Sequence, residues 1–573
     1  MSLMSGLYVG LSGIQTSSNS LNTTANNLTN VNTEGFVRQQ VIHKDVGYNF
    51  VSTTSATTTG QGGRGVTVAT INHVRDIFLD AAYRKEAGRQ MFYEKMYESV
   101  YEIQVHMGDE DGIEGIAFQD SITNLLESLN EVAKAPGYQV ARASLVQRAV
   151  EFVDKSQTIY NGLKDYQQTQ NDEVISMVNR INEIGESIMD LNRRVAKIEA
   201  GGVETAVDLR DERDLLLDEL SKYCKISYKE TAQGVVEVSV EGVPFADELS
   251  VNHMGLKEVN GCNLVVPVWS GMGDQNVYNM NLTISTEDNT DIGGLKGLLA
   301  ARGNVIPTVA SMTAPDPELY GGEGTTAYEQ ALDEYNRYVD SSKTSTLVNV
   351  MANFDKLVTS VIESINDILC PETTAVVGGK TVTVLDTDKA STAADGTYGI
   401  ELFTRNYCDR YTEAVDDDGN TVYIRNDLNS FGNVAIYSIS NIYVNNDILK
   451  DYSKIPLTCA DGSDDYAKAQ EMVDVFSKDI LKYNDGLDYL TFQEFYETMT
   501  GDFANAGKIY ESMATNETTL ANSLDDERQQ VMGVSSDEEL GSMIKFQQAY
   551  NAASRYINVV SEMIDTLINR TGG

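Results

Sequence analysis

Met543–Leu567 reads MIKFQQAYNAASRYINVVSEMIDTL. Its apolar positions Met543, Phe546, Tyr550, Ala553, Ile557, Val560, Ile564 and Leu567 step by three and four without a break. That spacing describes a helix with one continuous apolar seam. Near the other end, Leu7, Leu11, Ile14, Leu21, Ala25 and Leu28 keep the same steps, with Ser18 filling one gap. This second segment is rich in Ser, Thr and Asn, whose side chains compete with a helix for backbone hydrogen bonds. Such a helix gains most of its stability by packing a face, so it is expected to order only on a partner. Two seams of similar length suggest that the ends pair with each other or with copies of themselves.

Between the seams the pattern changes several times. Residues 36–75 hold a Thr- and Gly-rich stretch that reads as loop and short strands. Residues 76–107 and 116–222 read as helical, with apolar positions at Leu145, Phe152, Ile159 and Leu163, then Val174, Val178, Ile181, Ile188, Leu191, Val195 and Ile198. Residues 223–292 alternate in short runs such as Val235-Val236-Glu237-Val238-Ser239-Val240, and 371–462 contain Thr381-Val382-Thr383-Val384 and Val434-Ala435-Ile436-Tyr437 between Gly, Asp and Asn turns. A helix near 345–369 follows a Tyr- and acid-rich connection that reads as mobile. Helices return from about 465. The expected fold class is α+β multidomain: a helical coiled-coil stem built from both chain termini, with inserted β-rich domains. The boundaries read as 1–45 plus 533–573 for the terminal assembly helices and 46–222 plus 465–532, with part of 293–370, for the stem. The β-rich inserts read as 223–292 and an outer one at 371–464.

A chain of 573 residues exceeds what one core supports, so two to four domains are expected. Asp and Glu number 85 against 43 Lys and Arg, a net charge of -42 with no basic cluster. That excludes nucleic acid and anionic membranes as partners, because a phosphate backbone must be neutralised by clustered cations. The first charged residue is Glu34. No run approaches the roughly 18 apolar residues of a membrane span. The first residues carry neither the basic start nor the apolar run of a cleaved secretory signal, which leaves a cytoplasmic protein or export by another route.

Several motifs have the outline of chemistry without its context. Gly60-Gln61-Gly62-Gly63-Arg64-Gly65 has dinucleotide-loop spacing, with Asp80 further on, but it follows a polar run and precedes a β-like segment rather than a helix. Asp416-Asp417-Asp418-Gly419-Asn420 starts like a calcium loop but lacks the glycine and the later carboxylate such loops need. His43, His73, His106 and His253 form no metal-ligand spacing. Cys224, Cys262, Cys370, Cys408 and Cys459 are scattered and odd in number, and read as thiols in packing positions. The reading is therefore no catalytic residue, no cofactor, no metal and no enzyme.

Ala25-Asn26-Asn27-Leu28-Thr29-Asn30-Val31-Asn32-Thr33-Glu34-Gly35-Phe36 strongly resembles the N-terminal motif shared by flagellar rod, hook and hook-associated proteins. Its family positions are Asn26, Asn27, Asn30, Asn32, Gly35 and Phe36. Asn caps helix ends and tolerates left-handed backbone, Gly35 permits the turn, and Phe36 is expected to anchor the exit. Three further stretches resemble the family of first hook-associated proteins: Ala141–Val146, Asp208–Leu220, and Gly533–Leu540 followed by Phe546-Gln547-Gln548-Ala549-Tyr550. The resemblance implies a structural flagellar protein exported unfolded, which joins hook to filament outside the cell. The implied partners are copies of itself in a ring or helical tube, hook protein, the third hook-associated protein and an export chaperone for the C-terminal helix. Hook protein itself is the alternative within the superfamily. An insert with an added adhesin or enzyme role is the alternative outside it.

Overall fold

The computed structural model describes residues 3–51, 60–108, 118–201, 205–280, 283–484, 486 and 488–571. The chain opens with helix α1 (Leu3–Thr29), then strands β1 (Gln39–Asp45), β2 (Tyr48–Val51), β3 (Gly60–Gly63) and β4 (Val66–His73). β1 pairs antiparallel with β4, and β2 with β3. The glycine motif is therefore one side of a hairpin, and a strand rather than a helix follows it. Residues 52–59, in the Thr-rich stretch, lie outside the described residues.

Helices α2 (Ile77–Met107), α3 (Phe118–Lys134), α4 (Gln139–Glu199) and α5 (Val207–Tyr223) follow. The Asp76 side chain accepts the Phe78 and Leu79 N–H groups to start α2, and left-handed Gly108 ends it. Pro136, which lacks an N–H, stands in the turn between α3 and α4. α4 has 61 residues and so runs about 90 Å. The apolar positions read along it are buried except Ile198, which lies near its end and is exposed.

Two cores share α4. The second half of α4 packs with α5, with strands β5 (Ile226–Glu230), β6 (Val236–Val240), β7 (Val243–Ala246), β8 (Met254–Glu258), β9 (Val265–Trp269) and β10 (Gln275–Asn276), and with α6 (Gly294–Arg302). The strands form sheets β5-β6-β7 and β10-β9-β8, and the single tryptophan, Trp269, is buried there. α6 crosses α2 so closely that a Cβ on Gly297 would stand 2.6 Å from the Phe92 carbonyl oxygen.

The other core joins the first half of α4 to α3 and α8 (Thr346–Leu369). Before α8, the expected mobile connection instead holds a helix, α7 (Thr326–Ser341), started by the Thr325 side chain and seated by buried Tyr338 against Val305 and Val348. Its Tyr and acidic residues lie on a helix whose one buried stripe is narrow, which hides its periodicity.

β11 (Glu372–Val377), β12 (Lys380–Leu385), β13 (Phe403–Arg405), β14 (Tyr411–Val415), β15 (Thr421–Arg425) and β16 (Ile442–Val444) follow, in sheets β11-β12-β15-β14 and β13-β16. The Asp416–Asn420 stretch is the β14–β15 turn. Asp416 accepts the Asp418 and Asn420 N–H groups, and Asp417 accepts those of Gly378 and Gly379. Leu402, Phe403, Tyr437, Ile439 and Ile442 join the core of α4 and α8, so these strands share their apolar interior with the helices. α9 (Asn446–Lys450), α10 (Tyr466–Asp474), α11 (Phe492–Met532) and α12 (Ser536–Thr571) complete the chain. α11 packs along α2, and α12 returns to lie against α1. The molecule is α+β with several small sheets set on long helices.

Phe118 is fully buried and meets the rings of Phe152, Phe354 and Tyr496, tying α3 to α4, α8 and α11. Phe118→Ala should cost about 3–5 kcal/mol. In urea, the circular-dichroism transition should move to lower denaturant while the Trp269 fluorescence transition of the other core moves less. Equal shifts in both would contradict two separable cores.

Candidate assembly interface

The small residues of α1 decide how it packs. A Cβ on Gly10 would stand 2.5 Å from Ile557 Cγ1, one on Gly6 3.1 Å from the Tyr556 hydroxyl, and one on Gly13 3.3 Å from the Ala553 Cβ. Glycines thus open holes on α1 for the large residues of α12. Further along α1, the polar residues dock onto the β1–β4 hairpin. The Ser12 hydroxyl accepts the Val66 N–H at 3.2 Å, and the Thr16 hydroxyl donates to the Val66 carbonyl at 3.2 Å. Ser20 Oγ lies 2.9 Å from His43 Nε2, and the Asn27 amide bonds both ways to the Gln39 backbone at 2.9 and 3.0 Å. The Ser, Thr and Asn content that weakens this helix in isolation is what binds it to the strands.

Within the subunit, the apolar stripe expected for α1 is not its most buried face. Its deepest contacts come from Gly6, Gly10, Thr16, Ser17, Ser20, Thr23, Thr24 and Asn27. Leu7, Ile14, Leu21, Ala25 and Leu28 are only half-buried, and Leu11 is 45% exposed. Apolar spacing located a stripe but could not show that glycine holes would outrank it in contact with α12. On α12, Val560 is buried and Met543, Phe546, Ala553, Ile557 and Ile564 are half-buried, while Tyr550 and Leu567 are exposed. Phe546 sets its ring 6.1 Å from that of His43. Met4, Tyr8, Ile544, Val559, Met563 and Ile568 are exposed on the same two helices. With Leu11 they leave a large exposed apolar area on this helix pair, the kind of area that marks an interaction site.

The Asn-rich motif ends α1. The Asn26 carbonyl and side-chain oxygens both accept from the Asn30 amide at 3.0 Å, and Asn30 Oδ1 accepts from the Thr33 hydroxyl at 3.1 Å. Asn32 is exposed, and Gly35 takes the left-handed conformation with φ 76. Phe36, expected to anchor the exit, is half-buried; the fully buried residue is its neighbour Val37.

The roots of the terminal pair are held by α5, through residues that sequence reading missed. Asp208, Asp211, Asp214 and Asp218 recur at three- and four-residue steps and so share one face. Asp208 accepts from the Gln39 side chain at 3.3 Å, and Asp211 accepts the Val37 N–H at 3.1 Å, with His73 Nδ1 3.2 Å from its other oxygen. Asp214 takes Arg75, whose Nε also donates to Asp80 at 2.6 Å. Asp218 accepts from Arg84 at 2.6 Å and from Arg528 at 2.8 Å. Arg38 adds a bond to Glu539 at 2.8 Å, and its N–H donates to the Met532 carbonyl at 2.9 Å. Strand exit, strand return and the α11–α12 elbow therefore meet on one acidic stripe. Its spacing was visible in the sequence; its cationic partners, far away in the chain, were not. Among the described residues, no group of three His, Cys, Asp or Glu side chains could hold a metal ion.

Burial pushes the Asp211 carboxyl up to about 7, against the Val37 N–H and Arg75. Burial and Arg75 hold His73 down to about 4. Asp214, Asp208 and Arg210 complete the charges around the pair. A raised acid stabilises the fold below its ordinary value of 3.8 and loses that contribution as pH rises to about 7. A depressed histidine stabilises it above 6.5 and loses that contribution as pH falls to about 4. The two slopes oppose. Asp211→Asn leaves His73 alone, so its urea midpoint should fall more steeply than the parent's between pH 6.5 and 4; parallel profiles would contradict the pairing. Separately, Gly10→Leu overpacks the helix contact, typically a loss of about 1–3 kcal/mol. Amide-exchange protection should drop in α1 and α12 and stay unchanged in α4. Unchanged protection at the ends would rule out the glycine contact.

Residues 111–370 match the family model described as the flagellar hook-associated protein FlgK helical domain. Residues 7–36 match the flagella basal body rod protein model, and 529–570 the flagellar basal body rod FlgEFG protein C-terminal model. The chain is 23% identical to flagellar hook-associated protein 1 of Bacillus subtilis (strain 168), covering 99% of this chain and 98% of that one. It is 23% identical to the protein of that name from Escherichia coli (strain K12) and 22% to that from Salmonella typhimurium, with 98% of each chain covered. The solved structure of the flagellar hook junction protein FlgK from Burkholderia pseudomallei aligns with a TM-score of 0.47 at 12% identity, over 79% of this chain and 99% of that one.

Proposed function

Proceeding from a chain that is similar to flagellar hook-associated protein 1 along nearly its whole length, we propose that it is a structural part of the bacterial flagellum that joins hook to filament. The observation that carries this reading is the apolar surface left uncovered on the α1–α12 pair. Met4, Tyr8, Leu11, Ile544, Val559 and Met563 face outward although the two helices already pack together. A subunit that ended its folding there would expose that area to water at a cost of roughly 25 cal/mol per Å². Copies stacked side by side would cover it. Such contacts are head-to-tail, because a two-fold contact closes a pair whereas heterologous contacts build rings and tubes.

The assembly sequence has a physical logic. α1 carries no charge and few strong helix formers, so it stays loose until α12 and the hairpin of the same subunit supply packing, after which neighbouring copies would cover the faces left outside. Each large side chain then buried contributes about 1.5–3 kcal/mol, and a handful offset the ordering of both ends. Unfolded export fits these loose ends, and an export chaperone would cover the α12 seam on the way. Hook protein and the third hook-associated protein would be the neighbours on either side, outside the cell. The sites expected of an enzyme play no part in this reading: support for a non-enzymatic role comes from the structural relatives. No helix among the described residues is long and apolar enough to cross a membrane.

The test separates the outward face from the inward one. Val559→Asp with Met563→Asp changes exposed positions and should leave the purified subunit's circular dichroism and urea midpoint unchanged. Cells carrying it should lack attached filaments and shed flagellin into the medium. Ile557→Asp, which strikes the contact with Gly10, should instead lower protection of α1 and α12 in the isolated subunit as well. Normal swimming by the Val559–Met563 variant would remove the outward face from assembly.

A further inference from the structure

Two aromatic rings stand outside both cores and outside the terminal pair. Tyr407 is 70% exposed and Phe431 71%, and their rings meet edge to face with centroids 5.5 Å apart. Aromatic side chains normally place their large area in a core or an interface; within the subunit these do neither. They are nonetheless held firmly. The Tyr407 carbonyl accepts from the Ser430 backbone N–H at 2.8 Å and from the Ser430 hydroxyl at 2.9 Å. The Asn429 side chain accepts the N–H groups of Phe431 and Asn433, each at 3.0 Å.

Tyr407 also occupies the left-handed region, with φ 57. A bulky L-residue is strained there, whereas Gly or Asn would rest easily. The tyrosine therefore costs the loop stability and returns no core contact. Strain of this kind concentrates at functional positions.

Charge narrows the ligand. Asp409 is exposed two residues from Tyr407, while Asp427, four residues before Phe431, is exposed and already lies 3.4 Å from the Arg425 guanidinium, on a protein with 85 acidic residues against 43 basic ones. Such a surface collects cations and repels anions. The faces of Tyr and Phe attract guanidinium and ammonium groups for a related reason, the negative charge of the ring face. The same insert already makes this contact internally: the Arg405 guanidinium lies 4.6 Å from the Tyr437 ring centroid and that of Arg410 5.7 Å from Tyr411. Among the described residues, no cation sits over Tyr407 or Phe431. We propose that the Tyr407–Phe431 pair is a binding site for the Arg or Lys side chains of a basic polypeptide. The site stands apart from the assembly surface, and its fate is independent of that reading.

The experiment uses the full chain, because the insert shares its core with the helices. An Arg-Gly repeat peptide, a Glu-Gly peptide of equal length and a neutral gluco-oligosaccharide are titrated calorimetrically against the parent, Tyr407→Asn and Phe431→Ala. The Arg peptide should bind the parent, weaken with added salt, and lose at least tenfold in affinity in each variant. Tyr407→Asn should fold with an equal or higher urea midpoint, since it relieves the strained backbone. Equal binding of the Arg peptide by all three proteins would overturn the proposal in favour of a diffuse acidic surface. Binding of the oligosaccharide alone, or of no probe, would overturn it as well. A Tyr407→Asn chain that unfolds more easily would make the ring structural and end the proposal.

Discussion

The contact between Gly10 of α1 and Ile557 of α12 is the constraint on which the rest of the molecule turns. It joins opposite ends of the chain, and it exists only because the residue at 10 has no side chain. Once it forms, everything between the ends becomes a closed excursion that must leave and return at one place. The acidic stripe of α5 is that place: Asp208, Asp211, Asp214 and Asp218 receive the outgoing strand, the returning strand, α2 and α11. Buried carboxylates and guanidinium groups are costly to desolvate and give little net stability. Their value here is geometric, because each tolerates few arrangements of its partners. The stripe fixes where the terminal pair sits relative to the stem.

A second consequence concerns the division of labour on α1. One face is spent on small and polar residues that fit α12 and the hairpin, so the leucines are left on the flank. Inside a single subunit those leucines look misplaced; beside a neighbour they would be ordinary interface. In the proposed role, the same helix would serve folding with one face and assembly with another. The long α4 spine and its two cores carry the outer strands away from that surface without loading it, which leaves the outer loops room for features such as the Tyr407–Phe431 pair.

Much of this was legible beforehand, for reasons that particular residues make clear. The α12 helix was readable because large side chains recur on one stripe, and α4 and α8 because their apolar positions are dense enough to fix a period. The glycine-rich stretch becomes a hairpin strand and the Asp-rich stretch a β-turn, both local structures that Gly, Asp and Asn favour. The glycine face of α1 is invisible to hydropathy, which gives glycine no weight, although a hole is as informative as a knob. α7 has no readable apolar period, because its buried residues are only Tyr338 and Ser341. The partners of the α5 stripe lay beyond any local pattern: nothing near Asp218 in sequence points to Arg528. Val37 outranked Phe36 as the anchor because burial follows the turn at Gly35, not side-chain size.

The central claim is that both ends pair within one subunit while their outward faces serve assembly. Gly13 and Ala553 face each other with Cβ positions 3.3 Å apart, close to what a disulfide bridges. The most direct measurement is oxidation of a Gly13→Cys, Ala553→Cys double variant, first as purified subunit and then in intact flagella, followed by non-reducing electrophoresis. The account predicts an internally crosslinked band of single-subunit mass in both samples, with filaments still attached. A ladder of crosslinked multimers without that band, or no crosslink at all, would contradict it.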